Sequence, residues 1–397
     1  MIEISLQENT VKLTNTYTNE SEVVLDLGVK HNNYTALSSQ RLYQEYTSMI
    51  NNYEVIKKYT YGETTLLDIV AITSLVFNEL MNGKHTNIRA LEVGSWFGCS
   101  SYFFANSLKT FSENNILFCM DTWNGSPDTM SHSIANYENA FEHFKSVMRY
   151  AGVYESIKPI VCDSTVGMDI LQENFFDIIF VDANHTYDYV YQDIVKGIKK
   201  IKVGGLLIGH DCECYADELP PHLLHGDNKH LDGIEGYHTG VIKALDDIFG
   251  RDYSRFNASL VWYKRITQED KDMIIQLEKK SSISYQRTDE LVKAIKDSIQ
   301  FIYNSSLGEK TETTQILLTD LVQVAQELEN TMAEISGKIN NKSIKLKANL
   351  LKSALIDYQI TYENDFPQAL MVLESSVIES FNDFWKCYSE LDGSHVE

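Results

Sequence analysis

Apolar positions follow three regimes along the chain. Over residues 1–29, short alternating runs (Ile2, Ile4, Leu6; Val11, Leu13; Val23, Leu25, Leu27) are separated by polar Asn, Thr and Glu clusters, the period-two pattern of a small β-meander or hairpin. Residues 38–59 have a helical pattern. Residues 64–81 have a stronger one, in which Leu66, Ile69, Val70, Ile72, Leu75 and Val76 form an apolar stripe that Asn82-Gly83 ends. From residue 88 to about 265, strand-like runs (89–93, 116–121, 157–162, 176–181, 205–208, 260–264) alternate with helical stretches (100–108, 134–150, 165–173, 187–201, 239–249). Such alternation predicts an α/β fold with a mostly parallel sheet covered on both faces, the run at 260–264 being an added edge strand.

Beyond Gln268 only helical periods remain. Leu318, Leu321, Ala325, Leu328, Met332 and Ile335 recur at spacings of three and four, as do Leu370, Leu373, Val377, Phe381, Phe384 and Tyr388. Gly308, Gly337 and Pro367 mark breaks between about four helices. These stripes are core in either of two arrangements, a bundle within the monomer or a dimerisation element, and a homo-oligomer through these helices is the expectation. The pattern divides the chain into an N-terminal extension (1–62), an α/β domain (63–266) and a helical C-terminal domain (267–397).

At 397 residues and 43% hydrophobic content, the chain is long enough for two or three domains with proper cores. A formal net charge of −22 argues against a nucleic-acid partner, which needs a clustered Lys/Arg surface. The six cysteines lack the spacing of a disulfide framework or a four-ligand zinc site, which suits a reducing compartment. The N-terminus lacks the form of a signal peptide, and no apolar run reaches the roughly 18 residues needed for a membrane span. A cytoplasmic protein is expected.

The chemistry is organised around Ala90-Leu-Glu-Val-Gly-Ser-Trp-Phe-Gly-Cys-Ser-Ser101. Here a buried strand ends in an acid and two glycines and turns into a helix. Gly94 allows a backbone conformation that a Cβ would forbid, and Gly98 lets a ligand or the helix approach the main chain. A Gly-x-x-x-Gly turn also occurs where a helix simply packs on a strand. The polar strand ends raise the functional reading: Glu92, Asp121, Asp163, Asp182 and His210-Asp211 lie at successive carboxyl ends, where ligands of such sheets bind. Asp121 ends the second strand and could accept both hydroxyls of a ribose, and Asp163 with Ser164 could bond an adenine amino group. Each acid taken singly is also a candidate helix N-cap.

Asp182 and Asp211 form the central pair. On neighbouring strands about 4.8 Å apart, their carboxylates can converge on one hard cation such as Mg²⁺. His210 either completes that shell or is a satisfied core histidine. His185, three residues past Asp182, is a candidate general base, with a backbone-bonded helix-start residue as the alternative. His210-Asp-Cys-Glu-Cys214 lacks the second pair a zinc site needs. Residues 215–237, with Pro220-Pro221 and several histidines but no periodicity, read as a lid or substrate loop.

Glu92-Val-Gly-Ser-Trp-Phe-Gly-Cys-Ser, Met120-Asp-Thr-Trp-Asn-Gly125, the stretch from Phe176 to Asp193, Gly204-Gly-Leu-Leu-Ile-Gly-His-Asp211 and the stretch from Tyr237 to Phe249 together resemble class I S-adenosylmethionine-dependent methyltransferases. The nearest likeness is to the branch with metal-dependent macrolide-sugar O-methyltransferases. The resemblance covers roughly 64–265 and implies a Rossmann-like, doubly wound, seven-stranded sheet. It further implies that Glu92, Gly94, Ser95 and Gly98 hold the methionine end of the cofactor, and that Asp121, with Thr122 and Trp123 beside it, holds the ribose. Asp163 and Ser164 would hold the adenine. Asp182, His210 and Asp211 would hold the metal, Asp182 also bordering the cofactor, and His185 would be the base. The chain departs from those relatives at His210, where they often carry a second acid. The implied substrate is a sugar or other hydroxyl-bearing small molecule or glycan. The rival readings are a nicotinamide-dependent oxidoreductase, against which Gly94-Ser-Trp-Phe-Gly98 lacks the tight Gly-x-Gly of a pyrophosphate loop, and a non-catalytic methyltransferase-like scaffold.

Overall fold

The computed structural model describes residues 2–7, 10–15, 21–26, 36–62, 64–125, 139–226, 228–305, 312–339 and 342–392. The chain divides into two compact units, Met1–Ile274 and Ile275–Glu397.

The first unit opens with an antiparallel meander, β1 (Ile2–Gln7), β2 (Thr10–Asn15) and β3 (Ser21–Asp26). Val11, Val24 and Leu25 turn inward, and the Asn78 side chain donates to the Val24 carbonyl at 3.0 Å. The helical pattern at 38–59 resolves into α1 (Ala36–Asn51) and α2 (Tyr53–Thr60), separated at Asn52. Helix α3 (Leu66–Asn82) begins at a capping box: the Thr65 hydroxyl accepts from the Asp68 N–H, and the Asp68 carboxylate accepts from the Thr65 N–H. This box places Asp68 at the tip of α3, beside the sheet's carboxyl edge, and its Oδ1 accepts from the Leu260 N–H at 3.0 Å.

Seven strands follow: β4 (Arg89–Val93), β5 (Ile116–Asp121), β6 (Ile157–Val161), β7 (Phe176–Val181), β8 (Ile201–Gly209), β9 (Ser254–Arg255) and β10 (Trp262–Arg265). Their spatial order is β6-β5-β4-β7-β8-β10-β9, with β4 to β8 parallel and β10 antiparallel to both β8 and β9. The sheet is thus doubly wound and mostly parallel, as expected. One expectation needs correction: the run at 260–264 is not the edge, because the two-residue strand β9 pairs outside it. Two residues are too short to leave a period in the sequence.

The connecting helices are α4 (Cys99–Phe111), α5 (Ala140–Tyr150), α6 (Ser164–Ile170), α7 (Tyr187–Lys200), a single turn α8 (Pro221–Leu224) and α9 (Thr239–Phe249). The expected helix at 134–150 begins at Ala140, capped by Asn139, and 134–138 lie outside the described residues. Alternate residues of each strand serve opposite layers. Ala90, Leu117, Ile178, Phe180, Leu206 and Ile208 pack with α3, α4 and α5, while Leu91, Val93, Ile179, Val181 and Leu207 pack with α7 and α9. Burial on both faces is why these strands read as unbroken apolar runs.

The chain leaves β4 in the middle of the sheet, steps outward through β5 and β6, and returns to the other side of β4 as β7. The reversal opens a crevice beyond the carboxyl ends of β4 and β7. Gly94 sits in it and explains why glycine is required: φ is +90°, and a Cβ there would lie 1.9 Å from the Asp182 carbonyl oxygen.

Asp193 on α7 is fully buried, and among the described residues neither carboxylate oxygen has a hydrogen-bond partner. Burial pushes its pKa up to about 7. Because the folded value exceeds the ordinary 3.8, the unfolded chain ionises first, and stability from this group falls as pH rises from about 4 to about 7. The full shift corresponds to roughly 4 kcal/mol. Asp193→Asn is expected to flatten this part of the stability–pH curve in urea unfolding between pH 4 and pH 8. An unchanged slope would show that the carboxylate is already ionised in the fold.

The second unit has a core of its own. Val292, Ile295, Ile299 and Ile302 of α10 (Gln268–Ser305) pack with Leu318, Leu321, Ala325, Leu328 and Met332 of α11 (Glu312–Ile339). They meet Leu351, Leu355 and Tyr358 of α12 (Lys342–Asn364) and Phe381, Phe384 and Tyr388 of the last helix, α14 (Glu379–Asp392), which follows the short α13 (Phe366–Val372). Gly337 does not end a helix; it lies within α11, whereas Pro367 opens α13 and Gly308 lies outside the described residues. Among the described residues no helix is long and apolar enough to cross a membrane, and all six cysteines are free thiols.

Candidate active site

The crevice is a cavity of about 660 Å³ walled by the carboxyl ends of the parallel strands and the tip of α3. Among the described residues lining it are six aspartates (68, 121, 163, 182, 211, 232) and three histidines (185, 210, 238), with no lysine or arginine. So anionic a wall, partly removed from water, favours a cationic occupant.

At one end the Gly94-Ser95-Trp96 turn is held by Asp121. Its Oδ2 accepts from the Ser95 and Trp96 N–H groups at 2.8 Å each, and its Oδ1 accepts from the Trp123 N–H at 2.6 Å. Burial raises the Asp121 pKa, and these backbone donors oppose it. Gly94, Ser95, Asp121 and Thr122 line the cavity. Asp163 and Ser164 also line it, and Asp163 is an N-cap of α6, its Oδ1 accepting from the Thr165 N–H at 2.8 Å.

Three residues expected at the cofactor stand behind the wall. Glu92 is fully buried: its Oε2 accepts from the Ser95 hydroxyl at 2.7 Å, from the Ser101 hydroxyl and from the Cys119 thiol at 3.4 Å, while Oε1 has no partner among the described residues. It braces the turn from below. Gly98 caps α4 at φ +94°, where a Cβ would meet Met148 and Phe144, so its role here is packing against α5. Trp123, at φ +52°, turns its indole into the core against Phe141 and Phe144, and its ring N–H donates to the Trp96 carbonyl at 2.6 Å. An indole with a partnered N–H is more stable in that apolar layer than at an anionic wall.

At the other end, Asp182, His185, His210 and Asp211 converge. His185 Nε2 is 3.0 Å from Asp211 Oδ2 and 3.7 Å from Asp182 Oδ1. His210 Nδ1 is 3.1 Å from Asp211 Oδ1 and 3.6 Å from Asp182 Oδ1. Asp211 adopts φ +62°, a conformation that aspartate tolerates better than most residues. His185 precedes α7, two residues before Tyr187.

Four contributors were not legible as site residues. Asp68, at the α3 tip, has Oδ2 3.3 Å from His210 Nε2. Asp232, in the aperiodic loop, has Oδ1 2.8 Å from His185 Nδ1. His238 lies 3.5 Å from Asp211 through Nδ1, which also meets Glu213 Oε1 at 2.6 Å. The capping spacing of Thr65 and Asp68 was the one available signal for the first. His238 stood in a recognised stretch without a role, and Asp232 and Glu213 had no pattern around them. Cys212, by contrast, is turned away, its thiol reaching the Cys214 carbonyl and the Tyr253 hydroxyl.

The electrostatics are those of tightly paired opposite charges. Burial alone would depress the His185 pKa, but Asp182, Asp211 and Asp232 outweigh it and hold the ring well above its ordinary value. His210 is raised in the same way, against burial, by Asp182, Asp211 and Asp68. Burial would raise the Asp211 pKa, yet His210 and His185 hold it well below the usual carboxylate range. The acids and the imidazoles thus stabilise each other's charged forms. Two donor groups, Asp182–His210–Asp211 and His185–Asp211–His238, each bring their ligand atoms within 4.8 Å of one another and share Asp211. Such a set fits a divalent cation, which would supply the same charge without protons.

Residues 91–212 match the family model of a methyltransferase domain. A protein of Sinorhizobium fredii, y4gI, described as uncharacterized, is 22% identical over 125 residues, which are 32% of this chain and 13% of that protein, so the chain spans only a small part of that relative's length. Among solved structures, cofactor-bound Rv0187 from MTB aligns over 57% of this chain and 91% of its own, at 12% identity and a TM-score of 0.35. The SAH-bound methyltransferase PaMTH1 of Podospora anserina aligns over 59% and 97%, at 14% identity and a TM-score of 0.36.

Proposed function

We propose that the protein is an S-adenosylmethionine-dependent O-methyltransferase, assisted by a divalent cation and acting on a hydroxyl of a sugar or other polyol-bearing small molecule or glycan. The observation that carries this reading is the cavity at the strand reversal, with six aspartates and neither lysine nor arginine in its described wall, most of which comes from the segment that matches the methyltransferase-domain model. A sulfonium nucleoside is a cation, and this wall suits it far better than the pyrophosphate of a nicotinamide dinucleotide, which the six aspartates would repel.

On this reading the Gly94-Ser95 turn takes the methionine end, Asp121 and Thr122 the ribose, and Asp163 with Ser164 the adenine side. S-adenosylmethionine, when bound, supplies an electrophilic methyl group on sulfur. Asp182 and Asp211, with His210, would hold the cation, Mg²⁺ being the simplest choice, and that ion would acidify an acceptor hydroxyl. His185 would take the hydroxyl proton through Nε2; its Nδ1 contact with Asp232 at 2.8 Å, which orients the ring, supports that role. The surrounding acids raise the His185 pKa, and a cation held by Asp182 and Asp211 would relieve that pull and favour the ring as a proton acceptor. Positioning of acceptor and methyl donor supplies much of the rate, and residues 215–237, which contribute Asp232, can exclude water above the site.

Thermal-shift measurements test this reading. S-adenosylhomocysteine at 100 times its dissociation constant should stabilise the fold by about 2.7 kcal/mol, a rise of several degrees, with NAD(H) producing none. Stabilisation by NAD(H) alone would replace it with the oxidoreductase reading.

A further inference from the structure

Helix α12 is apolar on two sides. Ile344, Ala348, Leu351, Leu355, Tyr358 and Tyr362 form its inner stripe, buried in the core of the second unit. A second set, Leu346, Leu350, Ile356 and Ile360, is 59%, 47%, 36% and 54% exposed. Single exposed apolar residues are ordinary on a protein surface. Four on one side of one helix are a face: at about 100° per residue they fall within an arc of about 120°, the width with which a helix usually meets a partner. Ser353 and Asp357 are polar members of the same arc, Asp357 near its edge where water reaches the carboxylate.

The face is symmetric about Ser353. Leu350 and Ile356 lie three residues to either side of it, and Leu346 and Ile360 seven. A stripe with that symmetry complements itself when a second copy of the helix crosses it antiparallel, with a two-fold axis at Ser353. Leu346 of each copy then faces Ile360 of the other, Leu350 and Ile356 flank the crossing, and the small serine lets the two backbones approach.

We propose that this exposed face of α12 is where the chain pairs with a second copy of itself, antiparallel about Ser353. The proposal goes beyond the methyl-transfer reading and does not depend on it.

Charge along the helix selects the antiparallel direction. Lys345, Lys347 and Lys352 precede Ser353, with no acid between 342 and 352, whereas Asp357 and Glu363 follow it, with no base between 354 and 364. Lys347 and Lys352 are engaged by Asp383 and Glu329 of their own chain. Lys345 and Glu363 are exposed and eighteen residues apart, five full turns, so both stand on one flank of the apolar face. An antiparallel copy sets each Lys345 beside the other's Glu363, twice per dimer. A parallel copy would set lysine beside lysine and acid beside acid, at a cost.

Sedimentation equilibrium of the full chain tests the proposal. One helical face buries less than roughly 1,200 Å² in total, the low end for specific association, so a monomer–dimer equilibrium in the micromolar range is expected. Leu346→Glu and Ile360→Glu should each weaken dimerisation at least about 100-fold, since each change is made twice per dimer, with the melting temperature of the monomer near that of the wild type. Tyr150→Glu, which alters an 86% exposed aromatic residue of the first unit, should leave association unchanged. Lys345→Glu and Glu363→Lys should each weaken the dimer by about tenfold, and the double variant should recover to within about threefold of the wild type, because the exchange restores both cross pairs. If the two apolar-to-glutamate variants lose their helical circular dichroism, the charge exchange decides alone, as it changes only exposed residues. A chain monomeric throughout the micromolar range, as it would be if the face served a different protein, would overturn the proposal. So would a dimer untouched by folded Leu346→Glu and Ile360→Glu, or charge variants whose losses add instead of cancelling.

Discussion

Gly94→Val is expected to abolish binding of S-adenosylhomocysteine, weakening it more than 100-fold, and to lower stability on the order of 3 kcal/mol or more. Two penalties act at this position. The backbone φ of +90° is one that a β-branched residue adopts only under strain, and the new Cβ would fall 1.9 Å from the Asp182 carbonyl oxygen and 2.7 Å from Ala183 Cα. Those are main-chain atoms, so no side-chain rotation relieves the overlap. The ladder must instead open, because the Gly94 N–H donates to the Met120 carbonyl at 2.9 Å and the Asp182 N–H to the Val93 carbonyl at 2.8 Å. Separating β4 from β7 moves the Ser95 and Trp96 N–H groups off Asp121 and displaces Asp182, so both ends of the cavity fail together. Gly152→Val is the control: φ there is +73° but nothing among the described residues lies within 4 Å of the added Cβ. It should cost stability and leave nucleoside binding intact. Equal loss of binding in both variants would mean that strain alone, and not the crowding of Asp182, governs the site.

Asp211→Asn is expected to weaken divalent-ion binding, and to lower methyl transfer to any acceptor the wild type accepts, on the order of 10³-fold. Asparagine has nearly the same shape and also tolerates the φ of +62° found here, so the backbone should hold while the charge is lost. Asp211 is the residue both donor groups share and touches His185 through Oδ2 and His210 through Oδ1. Its removal leaves His185 and His210 with less negative charge to hold their protons, so their raised pKa values should fall in histidine-resolved NMR titration. Asp163→Ala, which removes an α6 N-cap, is the comparison; it should cost about 1 kcal/mol and leave ion affinity unchanged. Similar ion affinity in Asp211→Asn and wild type would place the cation elsewhere.

What was legible in the chain depended on how each residue is held. Strands β4 to β8 announce themselves because both faces are buried and the runs are wholly apolar, so the polar residues that end them stand out. Asp182, His185, His210 and Asp211, where the structure sets each histidine 3.0 to 3.7 Å from both aspartates, were visible for that reason. Asp68 was hidden because its local role, closing the capping box of α3, fully accounts for an acid at that position. Asp232, Glu213 and His238 were hidden because contacts made by an aperiodic loop leave no spacing to read. The Gly-rich turn reads differently in three dimensions than along the chain. Glu92, Gly98 and Trp123 sit in the sequence beside Ser95 and Asp121 yet face the core, since a tight turn alternates inward and outward positions in a way its one-dimensional order does not display.

The central claim is that strand-end acids and histidines form a single cationic-ligand cavity for a methyl-donor nucleoside beside a metal ion. A crystal structure of the full chain grown with S-adenosylhomocysteine and a divalent ion tests it most directly. Expected are the ribose hydroxyls on Asp121, the homocysteine end against the Gly94-Ser95 turn, and the ion between Asp182 and Asp211 on the side of the sulfur from which a methyl group would leave. Nucleoside density away from the Gly94 turn, or an ion bound without Asp182 and Asp211, would contradict it.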